Sequence, residues 1–170
     1  MQLDRACSWR PPIGHARSPA WSRFLLQLAG NRGDRLVSVE RSVVMIVDDD
    51  DSIRKAARRL IKSFGLAVES FASADDFLAS GRIDATACLV LDVNMPGLSG
   101  LELQRHLSAL HYHIPIIFIT AFADEAVRVQ AVTAGACRYL IKPFEEDELL
   151  EGIREALQRQ NLRLGQQPPL

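Results

Sequence analysis

The sequence predicts an α/β domain: a doubly wound, five-stranded parallel sheet with five helices. Three observations carry that prediction. Five short apolar runs alternate with segments of helical periodicity, which is the pattern of successive βα units joined by right-handed crossovers. Three of the runs, Val43–Val47, Ala87–Leu91 and Pro115–Ile119, are apolar throughout. A strand of that kind is buried on both faces, as in a parallel sheet covered by helices on both sides. Polar residues follow the runs directly: Asp48 to Asp51, then Asp92, Thr120 and Lys142. Parallel strands put all of these on one rim, where ligands of doubly wound sheets bind.

Each element has its own local reason. Val43-Val-Met-Ile-Val47 is largely β-branched and ends in four aspartates. Over Ser52–Phe64, Ile53, Ala56, Ala57, Leu60, Ile61 and Phe64 fall at helical spacing, and Gly65 stops the helix. Asp51 or Ser52 is the expected cap. Leu66–Phe71 alternates as a short strand. Ser73 caps a helix over Ala74–Ala79, with Asp75 and Asp76 favourably placed in its first turn. Ala87–Leu91 runs into Asp92, and the loop Met95–Gly100 leads to a helix over Leu101–Leu110. Gly97 and Gly100 serve a tight turn there. Pro115–Ile119 ends in Thr120, Asp124–Ala134 is helical up to Gly135, and Cys137–Ile141 is the last strand. The last helix covers Glu145–Arg159, its acidic start suited to the helix dipole.

The 170 residues are 48 % apolar and 24 % charged, ordinary for a globular chain. The net charge of −1 conceals a division. Residues 1–42 hold seven Arg and three acids, while residues 43–170 hold 13 basic and 18 acidic residues. A basic arm, expected to be a disordered extension over 1–41, therefore precedes an acidic body. Within the arm only Trp21–Ala29 shows a short amphipathic pattern, too brief to be stable as an isolated helix. The body, net −5, offers no electrostatic footprint for direct nucleic-acid binding, and no apolar run approaches the length needed to span a membrane. Cys7, Cys88 and Cys137 are too few and too scattered for a disulfide framework, as expected for free thiols in the cytoplasm. His106, His111 and His113 lack a third ligand partner and read as solvated residues.

The rim residues form a coherent chemical set. Several carboxylates brought close together repel unless a cation neutralises them. Mg²⁺ is the natural ion, hard and oxygen-seeking. A carboxylate beside Mg²⁺ and an ammonium is arranged for phosphoryl transfer. Any one of these residues alone reads as a loop residue, a helix cap or a surface ion pair. Four strand ends of one sheet carrying them together do not.

Val47-Asp-Asp-Asp50, Leu91-Asp-Val-Asn-Met-Pro-Gly97 with Gly100, Ile119-Thr-Ala121 and Tyr139-Leu-Ile-Lys-Pro-Phe144 together resemble the receiver domain of two-component response regulators. The spacing agrees: 43 residues from Asp49 to Asp92, 28 on to Thr120 and 22 on to Lys142. The resemblance covers about residues 42–160, with 161–170 as a tail. It implies the flavodoxin-like strand order 2-1-3-4-5. It also implies roles for the residues that match: Asp92 as phosphoacceptor, with Asp48, Asp49, Asp92 and the backbone carbonyl of Asn94 around Mg²⁺, Asp49 the more direct ligand. Lys142 would pair with Asp92, Thr120 would bond the phosphoryl group, and Tyr139 would turn inward as the threonine moves. The Lys142–Pro143 peptide is expected to be cis. Asn94 and Phe122 would flank the path of hydrolytic water, Phe122 either shielding the pocket or pointing outward. The implied partners are a sensor histidine kinase or a phosphotransfer protein, and a second copy through the fourth and fifth helices.

The resemblance implies a phosphorylation-driven binding module and not an enzyme. The last motifs look most like receivers that precede a DNA-binding helix-turn-helix, and the chain is expected to be a stand-alone receiver, a phosphate sink or a fragment of a longer regulator. The alternative is an Asp-nucleophile phosphatase of the haloacid dehalogenase type, for which Asp48–Asp50 supplies a formal D-x-D.

Overall fold

The computed structural model describes residues 43–165. The expectations for the arm and for residues 166–170 lie outside the described residues. The elements are β1 (Val43–Val47), α1 (Asp51–Ser63), β2 (Ala67–Phe71), α2 (Ala74–Ala79), β3 (Thr86–Asp92), α3 (Gly100–Ala109), β4 (Ile116–Thr120), α4 (Glu125–Thr133), β5 (Arg138–Ile141) and α5 (Glu146–Gly165). All neighbouring strands pair in parallel, in the order β2-β1-β3-β4-β5. The flavodoxin-like architecture implied by the resemblance is the one observed.

Burial follows position in the sheet. Every residue of β3 and β4 is buried, and so is β1 from Val44 onward. The edge strands β2 and β5 are only partly covered, so their sequences could not read as continuous apolar runs. On one face Met45, Val47, Leu89, Leu91 and Phe118 pack with Phe77 of α2, Leu103 and Leu107 of α3, and Ala131 of α4. Strand alternation sends Ile46, Val90, Ile117 and Ile119 to the other face, beneath α1 and α5. Gly152 lets α5 approach closely, since a Cβ there would meet Ile117 and Arg138 at 3.1–3.2 Å.

Two local expectations need correction. The cap of α1 is Asp50, not Asp51 or Ser52: its backbone is extended, and its carboxylate accepts from the N–H groups of Ser52 and Ile53. The last helix does not stop at Arg159 but continues to Gly165. No Gly or Pro intervenes, and buried Gln160 keeps the helix seated on the domain.

Candidate functional site

The site is assembled by strand ends. Hydrogen bonds hold each of them in place: Asp48 N–H to the Phe71 carbonyl at 3.3 Å, Val93 N–H to Ile119 at 3.0 Å, and Lys142 N–H to Thr120 at 2.7 Å. Asp48, Asp92 and Thr120 are buried, and Asp49 is exposed at the mouth. Carboxylate oxygens of Asp48, Asp49 and Asp92 lie within 4.8 Å of one another, the one such acidic cluster among the described residues.

Lys142 lies between two of these carboxylates. Its Nζ donates to Asp48 Oδ2 at 2.8 Å and to Asp92 Oδ2 at 3.0 Å. Sequence reasoning paired it with Asp92 alone. The remaining oxygens of the buried pair are held by backbone: Asp50 N–H donates to Asp48 Oδ1 at 2.8 Å, and Asn94 N–H to Asp92 Oδ1 at 3.2 Å. Burial raises the pKa of Asp48 above the ordinary carboxylate value and outweighs the lowering by Lys142 and the Asp50 N–H. Burial pulls the Lys142 ammonium down, but Asp48 and Asp92 together hold its pKa above normal. The donor set fits a hard divalent cation: three oxygen ligands carry three charges, and one ammonium leaves two uncompensated.

The Thr120 hydroxyl accepts twice, from Asn94 Nδ2 at 3.3 Å and from the Phe122 N–H at 3.2 Å. With both lone pairs engaged, its hydrogen is what it has left to offer. The Tyr139 hydroxyl is already buried in this structure, beside Thr120. Burial raises its pKa, and neighbouring Thr120 works against that rise. Its ring centroid lies 6.4 Å from that of Phe118. The Phe122 ring points outward, 69 % exposed, and so does not cover the site. The Lys142–Pro143 peptide is cis.

Sequence reasoning missed one residue and, for another named as a turn glycine, the reason it is needed. Arg54, in the first turn of α1, donates to the Asp48 carbonyl at 2.6 Å and to Asp51 Oδ1 at 3.1 Å. A cation in the first turn opposes the helix dipole, and that anomaly was its visible signal. Gly100 is the second. It has no positive φ, and what needs glycine there is contact: a Cβ would run into the Asp92 carbonyl oxygen and lie 3.1 Å from Asp92 C and Val93 Cα.

The residues set aside stay aside. Asp50, the second aspartate of the D-x-D, is engaged as the α1 cap. Cys88 is buried and its pKa is raised well above the usual thiol value by desolvation. A cleft of about 90 Å³ lined by Gln104, His113, Cys137 and Arg159, among others, opens below the opposite ends of the strands.

The family described as response regulator receiver domain matches residues 44–154. Nodulation protein W of Bradyrhizobium diazoefficiens is 43 % identical over 132 residues, 78 % of this chain and 58 % of that protein. Response regulator protein TodT of Pseudomonas putida is 47 % identical over 125 residues, 74 % of this chain and 55 % of that one. The chain thus spans little more than half the length of these curated relatives. Among solved structures, response regulator StyR superposes with a TM-score of 0.69 at 46 % identity, covering 74 % of this chain and 63 % of that one. FixJ-N superposes at 0.64 and 36 % identity, covering 76 % and 98 %. Strand order, acidic rim and sequence similarity agree, and the chain belongs to the response regulator receiver domain family.

Proposed function

We propose that this chain accepts a phosphoryl group on Asp92 from the phosphohistidine of a sensor histidine kinase or a phosphotransfer protein, in the cytoplasm and with Mg²⁺. The observation that carries the proposal is the Lys142 ammonium held between Asp48 and Asp92, beside an Asp49 that makes no hydrogen bond. In the transfer an Asp92 oxygen attacks phosphorus in line. The P–N bond breaks, and its electron pair leaves with the imidazole of the donor.

Lys142 orients the Asp92 carboxylate through the hydrogen bond to Oδ2. Two of its three hydrogens are engaged, and the third serves an incoming phosphoryl oxygen. Thr120, its lone pairs filled by Asn94 and Phe122, donates its hydrogen to a second oxygen. Asp48, Asp49, Asp92 and the Asn94 carbonyl would hold Mg²⁺, which supplies charge neutralisation to the phosphoryl oxygens. A phosphorylated Asp92 draws Thr120 toward it, and the Tyr139 hydroxyl loses or gains its nearest polar neighbour. Thr120, Tyr139 and α4 are therefore the switching parts, and a changed α4–β5–α5 surface, through which a second copy would also pair, is the output. Signalling proceeds through protein contact and not direct nucleic-acid contact, since the acidic body over residues 43–170, net −5, repels phosphate backbones.

The test is labelling by acetyl phosphate. Wild type should acquire an acid-labile phosphoryl group in Mg²⁺ and lose the capacity in excess chelator. Asp92→Asn should acquire none, because an amide forms no acyl phosphate. Undiminished labelling of Asp92→Asn would place the acceptor elsewhere.

A further inference from the structure

Asp49 is the member of the acidic cluster that no side chain restrains. It is exposed and makes no hydrogen bond, whereas Asp48 is bonded through its backbone and both carboxylate oxygens. Backbone bonds fix the neighbours of Asp49, Asp50 N–H to Asp48 Oδ1 at 2.8 Å among them, and the side chain that bridges the two sides of Asp49 is Arg54. Its guanidinium spans from the Asp48 carbonyl, at the end of β1, to Asp51 Oδ1, at the start of α1. The Arg54 side chain is only 15 % exposed, so the fork is packed into the loop and does not wave above it. One rigid planar group therefore closes the two-residue interval that contains Asp49 and the cap Asp50.

The position is electrostatically odd. A positive charge here faces the helix dipole the wrong way and repels a cation bound at the cluster. We infer that Arg54 is a positioning residue for the divalent cation: by clamping the Asp48 carbonyl to Asp51 it holds the β1–α1 loop so that the Asp49 carboxylate is presented ready to ligate. The inference rests on reading Asp48, Asp49 and Asp92 as a cation site.

Charge and clamping predict opposite outcomes. If the guanidinium acts only as a charge, removing it tightens cation binding. If it acts as a clamp, removing it loosens binding, since supporting groups behind metal ligands are typically worth about tenfold or more in affinity. The experiment titrates Mg²⁺ calorimetrically into the full chain, as wild type, Arg54→Met, Arg54→Lys and Arg58→Met, with a thermal melt of each. Arg58 lies one turn further along α1, exposed and without an ion pair, and controls for loss of charge from the helix.

The expected result is a Kd raised about tenfold in Arg54→Met and raised in the same direction in Arg54→Lys. Arg58→Met should match wild type or bind slightly tighter. Unchanged or tighter binding by Arg54→Met overturns the inference, and so does wild-type affinity in Arg54→Lys. Should Arg54→Met fail to fold, the charge-preserving Arg54→Lys decides. Failure of wild type itself to bind Mg²⁺ sinks the cation site, and the inference with it. Wild-type binding with indifferent Arg54 variants sinks the inference alone.

Discussion

Gly100→Ala separates local from tertiary reasoning by the sign of its effect. Gly100 is the first residue of α3 and its φ is not positive, so on helix propensity alanine should stabilise by about 0.5–1 kcal/mol. The structure demands the opposite. A Cβ at this position would lie inside the 3.0 Å that real Cβ atoms keep from other atoms, against the backbone oxygen of Asp92, with Asp92 C and Val93 Cα at 3.1 Å. All three neighbours are backbone atoms, so no rotamer change relieves the clash, and one side must retreat by about 1 Å. Overpacking of this kind costs about 1–3 kcal/mol. Set against the propensity gain, the net loss is centred on about 1 kcal/mol, or roughly 4 °C in melting temperature for a domain of this size. The residue that must yield also carries the proposed acceptor, and a displacement near 1 Å lowers the rate of a positioned reaction by up to about 100-fold. Two measurements check this: a thermal melt, and the initial rate of acetyl phosphate labelling. A melting temperature equal to or above wild type together with unchanged labelling would refute the reasoning.

The remaining predictions are narrower. Free Mg²⁺ at ten times its Kd should stabilise wild type by about 1.4 kcal/mol, a rise of roughly 5 °C. Asp49→Ala should abolish that rise, and a full rise in the variant would remove Asp49 from the cation site. Phe122→Ala should leave the decay rate of the phosphorylated protein within about twofold of wild type, because the ring is 69 % exposed. Several-fold faster decay would mean that the ring folds over the site after phosphorylation. In chelator, Asp48 binds protons more readily folded than unfolded, so wild type gains stability as pH falls through the folded pKa of Asp48 toward the unfolded value. The melting temperature of Asp48→Asn minus that of wild type should therefore shrink as pH falls from about 7 to 4, and a difference that grows would reverse the assigned shift.

The central sheet was legible because its chemistry is local. A strand covered on both faces must be apolar at every position, as β1, β3 and β4 are, and its end is marked where the first polar residue appears. The rim was legible for the same reason: Asp48, Asp92, Thr120 and Lys142 each follow an apolar run. Where the deciding fact was non-local, sequence reasoning failed. Four consecutive aspartates are equivalent caps in sequence, and only the extended backbone of Asp50 distinguishes it. Gly100 read as a turn residue because its close neighbour, the Asp92 carbonyl, is eight positions away in the chain but touches it in space. The Asn94 side chain, expected beside the water path, also reaches Thr120, 26 residues on, a contact that spacing along the chain does not reveal. The direction of Phe122 was undetermined because a loop imposes no alternation. The stand-alone reading rested on where the chain stops, and the curated relatives are nearly twice as long as the part matched.

The strongest reason to read the rim as a working site is that it is poorly designed for stability. Arg82 and Glu69 show what an ordinary ion pair in this domain looks like: both side chains are more than 40 % exposed, and neither forfeits much hydration. Asp48 and Asp92, by contrast, are almost wholly buried around a Lys142 that is itself 15 % exposed. Buried charges of this kind are commonly replaceable by apolar residues with no loss of stability, and the raised pKa of Asp48 shows that its desolvation is not fully offset by Lys142. The unsatisfied valences also have one direction. The carboxylates exceed the ammonium by two charges, the deficit a divalent cation fills. Lys142 and Thr120 each retain a hydrogen, the donors that an arriving anion requires. A structural ion pair needs neither the deficit nor the spare donors, and a phosphoryl acceptor needs both.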